Sequence, residues 1–403
     1  MRHKYYDQAL KTFMVGVHAA DPVSAVKRAL NGYEEKPTII SVGKAAVKMM
    51  SAANEALDDC VDAIVVTNRE NFQEIEGVKV FISGHPIPNE NGITAGQVVI
   101  KAVKDASKVR RPILCLISGG GSALLPAPRD GISLKEKIEL NSVLLASGAD
   151  IKTINLIRQK LSLLKGGGLL RYAKPSHVTG LILSDVVDDD LRVVSSGLTA
   201  SGIGSREEAC QALKALGVWE QISISIKSLL VAAEEMDEFP IANNILVGSN
   251  KLSLNAMSSS WPSAVVHHAP LVGDVANAAV RVASVGRGIH LFGGETTVKI
   301  NGKGKGGRNQ ELALRVALLA DERGWNEPWL YLQAGTDGRD GPTDAAGGVV
   351  CDATIKTLKS KGIDLKQSLS NNDSYNALKH AGALLITGTT GTNVADLGIL
   401  IKG

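Results

Sequence analysis

Aromatic side chains are scarce in this 403-residue chain: Phe, Trp and Tyr together make up 4%. A surface that binds nucleic acid by stacking bases on rings is therefore not built here in quantity. Positive charge is not in excess either, since 44 Lys and Arg against 41 Asp and Glu leave a net of 44 − 41 = +3. That balance excludes a global electrostatic footprint for nucleic acid and leaves room only for a local basic site. No run of 18 uncharged apolar residues occurs, so no membrane span is expected. The opening Met1-Arg2-His3-Lys4-Tyr5-Tyr6 has no apolar stretch behind it and does not read as a signal peptide. Cysteine is nearly missing as well. Cys60, Cys115, Cys210 and Cys351 lie far apart, carry no paired metal spacing, and read as reduced thiols of a cytoplasmic protein.

Glycine is what the chain has in plenty: 42 residues, about one in ten, with no collagen period, which points to many tight turns and close backbone approaches. The length exceeds what one ordinary core holds, so two domains are expected. Apolar runs at 38–42, 63–67, 78–83, 113–118 and 181–184 read as buried strands of a parallel sheet. Helical periodicity at 44–57, 95–106, 134–145 and 151–164 supplies the crossovers. A doubly wound α/β domain over 1–235 follows, with a helix at 5–19 packed on it. A polar hinge at 236–240 leads to a second α/β domain over 240–403. Its strands are expected at 244–248, 263–267, 288–292, 329–333 and finally 383–387, and its helices at 273–281, 309–320, 353–359 and 373–380.

The glycines gather just after the strands: Gly43-Lys44, Gly84-His85-Pro86, Ser118-Gly119-Gly120-Gly121-Ser122, Gly293-Gly294-Glu295-Thr296 and Asp337-Gly338-Arg339-Asp340-Gly341. In a parallel sheet such loops share the edge where ligands bind. Lys44 opens a helix after a strand and a glycine. A cation there opposes the helix dipole, which suits an anion held on free backbone N–H groups; an exposed turn lysine is the plain alternative. The P-loop spacing is absent, and so are the later glycines of a dinucleotide fingerprint. Gly119, Gly120 and Gly121 leave amides open for phosphate or carboxylate, with Ser118 and Ser122 beside them. Asp185 and Asp188 offer hard oxygens to Mg²⁺, or cap a solvated turn. Lys303, Lys305 and Arg308 form a flexible basic loop before a helix starting near Asn309, able to close on phosphates. Among Asp337, Asp340 and Asp344 a carboxylate can serve as general base toward a hydroxyl. His85 is placed to touch a ligand, while the adjacent His267 and His268 point to opposite faces and do not share a metal.

These motifs, together with Ser184-Asp185-Val186, Gly307-Arg308-Asn309-Gln310-Glu311, the 334–344 run and Thr387-Gly388-Thr389-Thr390-Gly391-Thr392-Asn393-Val394, resemble the glycerate 2-kinase family over nearly the whole chain. The resemblance implies an α/β fold: a Rossmann-like parallel-sheet N-terminal domain, a smaller α/β C-terminal domain of the MOFRL type, and an active site in the interdomain cleft. It also implies ATP-dependent phosphorylation of D-glycerate at the 2-hydroxyl, with Mg²⁺ or another divalent cation, giving 2-phospho-D-glycerate and ADP. Lys44 matches the lysine that the family assigns to the transferred phosphate, and Arg308 the arginine of that transfer. Asp185 falls in the acidic segment, with Asp188 as a second metal candidate; Glu295 and Thr296 fall in the Gly-Gly-Glu-Thr segment. His85, Ser118, Gly119, Gly120, Gly121, Ser122, Lys305, Asn309, Asp337 and Asp340 are the further expected substrate or nucleotide contacts. Expected partners are D-glycerate and ATP, without nucleic acid or membrane; the oligomeric state stays open, a homodimer included. One segment departs: Leu198 stands in Ser195-Ser196-Gly197-Leu198-Thr199 where many members have proline. Two rival functions are an NAD(P)H-dependent hydroxypyruvate reductase, which the missing fingerprint argues against, and a non-enzymatic sensor of phosphosugars or hydroxy acids.

Overall fold

The computed structural model describes residues 3–57, 62–232 and 241–403. Cys60 and the expected hinge at 236–240 lie outside the described residues. Two compact units divide the chain. One comprises Pro22–Ser184 with Asp188–Val247; the other joins the residues up to Asp21 to Asp185–Val187 and Gly248–Gly403. No described helix is long and apolar enough to cross a membrane.

The first unit carries β1 (Thr38–Val42), β2 (Asp62–Thr67), β3 (Lys79–Ile82), β4 (Ile113–Ile117), β5 (Val178–Leu183) and β6 (Asn243–Gly248), in the order β3-β2-β1-β4-β5-β6. β1 pairs in parallel with β2 and β4, β2 with β3, and β4 with β5. Every residue of β1 and β4 is buried, as unbroken apolar runs require of strands covered on both faces. The chain runs outward through β2 and β3 and returns on the other side of β1. The strand order therefore reverses between β1 and β4, the point at which open parallel sheets bind ligands. The loops that leave it are Gly43-Lys44 and 118–122. β6 corrects an expectation: the run at 244–248, read as the opening of the second domain, completes the first sheet beside β5. Its apolar pattern marks a strand but carries no information about its neighbour.

The second unit holds β7 (Ala264–Val266), β8 (Leu271–Asp274), β9 (Gly288–Thr297), β10 (Trp329–Gly335), β11 (Gly347–Cys351), β12 (Leu384–Leu385) and β13 (Asp396–Lys402), ordered β12-β11-β10-β13-β9-β7 with β8 also on β9. The sheet is mixed. β10 is antiparallel to β11 and β13, β13 is antiparallel to β9, and β7 and β8 run parallel to β9. Strand alternation feeds two cores. Leu330, Leu332, Leu397 and Ile399 enter one, and Trp329, Tyr331 and Leu400 the other. Helices Val275–Ala283 and Arg308–Glu322 cover the second of these; Tyr6–Ala19 and Asn250–Ser260 cover the first. The helix expected to pack on the N-terminal domain thus belongs elsewhere: Ala9, Phe13 and Val17 meet Leu254, Met257 and Leu397. The reason is physical, since an apolar sheet face needs a cover and the second unit has two such faces. The expected final strand at 383–387 is only the two-residue edge strand β12, and the central strand is β13.

Candidate functional site

β13 runs antiparallel between β9 and β10, and its first residue, Asp396, is opposite Gly294 on β9 and Gly335, the last residue of β10. Arg308, the first residue of helix Arg308–Glu322, grips it with Nε donating to Oδ2 at 2.6 Å and Nη2 to Oδ1 at 3.0 Å. The third guanidinium nitrogen, Nη1, meets Glu295 Oε1 at 2.8 Å. Burial alone lowers the guanidinium pKa. The Asp396 hydrogen bonds, and the charges of Asp396, Glu295 and Asp340, more than offset this and raise it. The helix start is capped from a distance: the amides of Asn309 and Gln310 donate to the Asp340 carboxylate at 3.1 and 2.8 Å, the favoured sign for a helix N-terminus. Only glycine leaves room for it, because a Cβ on Gly307 would fall 2.4 Å from Asp340 Oδ1. Burial pushes the Asp340 carboxyl up to about 6, against the two amide donors and with Asp396 adding to the rise. The Glu295 carboxyl is also raised, first by burial, then by Asp396, Asp185 and Asp337, with Arg308 opposing. A pocket of about 810 Å³ opens here, lined among others by Val187, Glu295, Thr296, Arg308, Asp337 and Asp340. Thr296 Oγ1 is buried and has no hydrogen-bond partner among the described residues, which suits a hydroxyl kept for a ligand.

The first unit brings Lys44, His85 and the 118–122 loop together at the switch point. The Lys44 amide donates to Gly119 O at 2.9 Å, and the Ala45 amide to Ser118 Oγ at 3.0 Å. Gly120 lies between the two side chains: a Cβ there would be 3.2 Å from Lys44 Cγ and 3.3 Å from His85 Nε2. Lys44 itself is exposed. The His85 pKa is lowered by burial and then by Lys44, with Glu70 opposing, which favours the neutral ring. Ser118 is buried, its hydroxyl engaged by the loop after β1. One of the three amides expected to be open is taken, since Gly121 N–H donates to Ser195 Oγ at 3.1 Å. Ser122 Oγ pairs with Ser196 Oγ at 2.7 Å, which in turn donates to Asn155 Oδ1 at 2.6 Å.

Other expected contacts fall differently. The basic loop before Arg308 is strapped rather than flexible. The amides of Gly302, Lys303 and Lys305 donate to the side chains of Asn372, Asn371 and Asp373 at 2.9, 3.1 and 2.9 Å. The Lys305 ammonium sits 4.4 Å over the Tyr375 ring and Lys305 is not among the residues lining the pocket. Asn309 is buried behind Arg308, donating to Asp396 Oδ1 at 3.0 Å and accepting from Gln333 Nε2 at 2.8 Å. Asp188 pairs with Lys152 at 3.0 Å and falls in the first unit, while Asp185 falls in the second. Among the described residues no group of three or more His, Cys, Asp or Glu forms a metal cage.

Residues 8–231 match the domain of unknown function DUF4147, and residues 288–396 match the MOFRL family. The D-glycerate 2-kinase of Thermotoga maritima is 37% identical to this chain over 406 residues, covering 96% of each. This chain belongs to the glycerate kinase type 2 family. The glycerate 2-kinase of Pyrococcus horikoshii is 36% identical, over 96% of this chain and 94% of that protein. A crystal structure of glycerate kinase from Thermotoga maritima shares the fold with a TM-score of 0.91, at 37% identity and over 98% of both chains. In this member of the family, sequence reasoning passed over Asp396 and Asn155, and met Ser195 and Ser196 only in the segment that departs at Leu198. A lone acid heading the apolar run Leu397-Gly398-Ile399-Leu400-Ile401 was the available signal for the first. Nothing local in Asn155, Ser195 or Ser196 signals these contacts; only the fold brings them to the glycine loop.

Proposed function

We propose that this chain is an ATP-dependent glycerate 2-kinase, moving the γ-phosphoryl group of ATP to the 2-hydroxyl of D-glycerate. The observation that carries the reading is Arg308, a guanidinium fixed on Asp396 at the wall of a polar pocket. Phosphoryl transfer asks the protein mainly for positioning and charge stabilisation. A guanidinium has five N–H donors. Asp396 and Glu295 engage three, and the others are left for the substrate carboxylate or the phosphoryl oxygens. Thr296 Oγ1 adds a donor in the same pocket. Glu295 is the carboxylate placed to take the hydroxyl proton as the new P–O bond forms and the bond to ADP breaks; its raised pKa suits that role. Lys44, at the switch point of a sheet whose strand order supports the Rossmann-like description, supplies charge to the phosphates. A divalent cation would be held by Asp185, one of the acids whose charge reaches Glu295. Mg²⁺ needs only one or two carboxylates besides phosphate oxygens, and its chemistry there is charge neutralisation. The buried thiols Cys115, pushed up to about 12 by burial, and Cys210 support a reducing, cytoplasmic setting.

A coupled assay with ATP, Mg²⁺ and each glycerate enantiomer tests the reading, with the product resolved as 2- or 3-phosphoglycerate. Formation of 2-phospho-D-glycerate is expected. Hydroxypyruvate-dependent NADH or NADPH oxidation without ATP turnover would replace it by the reductase. Lys44 and Arg308 should also behave as one device. The Lys44→Ala/Arg308→Ala double variant should lose little more than the worse single variant, whereas fully additive losses would place them in separate steps.

A further inference from the structure

A second concave site, of about 270 Å³, lies within the first unit. Arg129, Gln159, Lys160, Lys165, Arg171 and Arg206 line it with four glycines between them, and none of the lining residues is acidic. Arg129, Lys160, Arg171 and Arg206 each have a partner of their own in the chain, so the sum of the charge sets this wall apart rather than any lone cation. Lys165 is buried, at 4% exposure, and its ammonium donates to the Ser122 carbonyl. Burial, and then the charges of Lys137 and Arg158, hold that ammonium well below its usual pKa; an anion nearby would favour its charged form. The uncharged liners are already occupied in building the wall. Gln159 Nε2 donates to the carbonyls of Arg192 and Ser196 at 2.8 and 3.2 Å, and its Oε1 accepts from the Ile203 amide at 2.9 Å. Ser162 Oγ accepts from the amides of Leu164 and Lys165, both at 3.3 Å. Apart from these two and the glycines, every lining side chain is cationic.

Like charges gathered in a concave, low-dielectric wall raise the local concentration of anions, and guanidinium forks match phosphoryl oxygens. The volume falls below the roughly 300–1,000 Å³ of sites for drug-sized ligands, which is too small for a nucleoside triphosphate and ample for a phosphoryl group on a short carbon chain. We propose that this pocket binds a small multiply charged anion, a phosphoryl group carried by inorganic phosphate or by a phosphorylated three-carbon acid. This site is additional to the kinase reading, on which only the choice of a three-carbon acid rests.

Calorimetric titration of the full chain with inorganic phosphate and, separately, with 3-phosphoglycerate tests the proposal. The Lys44→Ala/Arg308→Ala background silences the loops of the proposed reaction. At least one of the two anions should bind that background at one site per chain, and Arg129→Ala/Arg171→Ala should weaken it tenfold or more. Equal affinity for both anions would mean that the phosphoryl group is the whole determinant; tighter binding of the acid would mean that its carboxylate is read too. Either result supports the site. Where the arginine pair does not fold when substituted, the half-buried Lys160→Gln replaces it and should weaken binding at least threefold. No binding of either anion at millimolar concentration overturns the proposal, as does binding that these substitutions leave unchanged.

Discussion

Asp396 decides what Arg308 can do. Held by two parallel hydrogen bonds, the guanidinium is presented at a fixed angle, so geometry as well as charge is at stake. Arg308→Lys keeps the charge and loses the fork, and kcat should fall by about 100-fold or more; turnover near that of the parent would show that charge alone suffices. Asp396→Asn leaves Arg308 in place but weakens its anchor. Its kcat should drop at least about tenfold while circular dichroism reports an unchanged fold, and an unaltered kcat would make Asp396 a packing residue only. Asp340 predicts a pH effect on stability. Its carboxyl titrates near 6 in the folded chain and near 3.8 otherwise. Between those values the folded state binds the extra proton, so stability falls as pH rises through that window and levels above it, by at most about 3 kcal/mol. Asp340→Asn should flatten this slope in urea titrations run from pH 4 to 7; an undiminished slope would assign it to other groups.

At the scale of elements, the start of helix Arg308–Glu322 depends on a hydrogen atom. Gly307→Ala would drive a methyl group into the Asp340 carboxylate, 2.3–2.5 Å from its three end atoms, and should cost about 1–3 kcal/mol in a denaturation experiment. A melting temperature equal to the parent's would mean that the 337–341 loop yields freely. Such features separate what a sequence displays from what it conceals. β1 and β4 were legible because runs such as Ile113-Leu114-Cys115-Leu116-Ile117 have only one way to be buried. The loops after them were legible because glycine follows directly. β13 was not, because strand order is a matter of non-local pairing and nothing in residues 396–402 names β9 and β10 as neighbours. Asp396 stayed hidden with it, since its meaning comes from that register. Lys305 misled for the opposite reason: a basic glycine loop looks mobile until Asn371, Asn372 and Asp373 are seen to hold it. Ser195 and Ser196, with φ of 49° and 60° followed by Gly197 at 68°, make a left-handed turn that brings two hydroxyls to the glycine loop. No local propensity favours that turn at serine.

On the scale of the molecule, the second unit is sewn from segments far apart in the chain. Phe13 is fully buried among Leu254, Leu397 and their neighbours, so Phe13→Ala should destabilise that unit by about 3–5 kcal/mol although the unit's strands lie more than 200 residues further along the chain. A loss below about 1 kcal/mol would mean that the helix is an accessory. The same connectivity sets a timetable for synthesis. β13 begins 377 residues after helix Tyr6–Ala19 ends (396 − 19), an interval of roughly 20–75 s at translation rates of about 5–20 residues per second. During that time the first unit has every strand it needs, while the helix carries an apolar face whose central cover has not been made. Nascent chains stalled before Asp396 should therefore be cut by protease within residues 6–19, and released chains should resist. Equal resistance in both would mean that the helix finds another shelter on the ribosome, and that the unit written first and last in the chain does not have to close last.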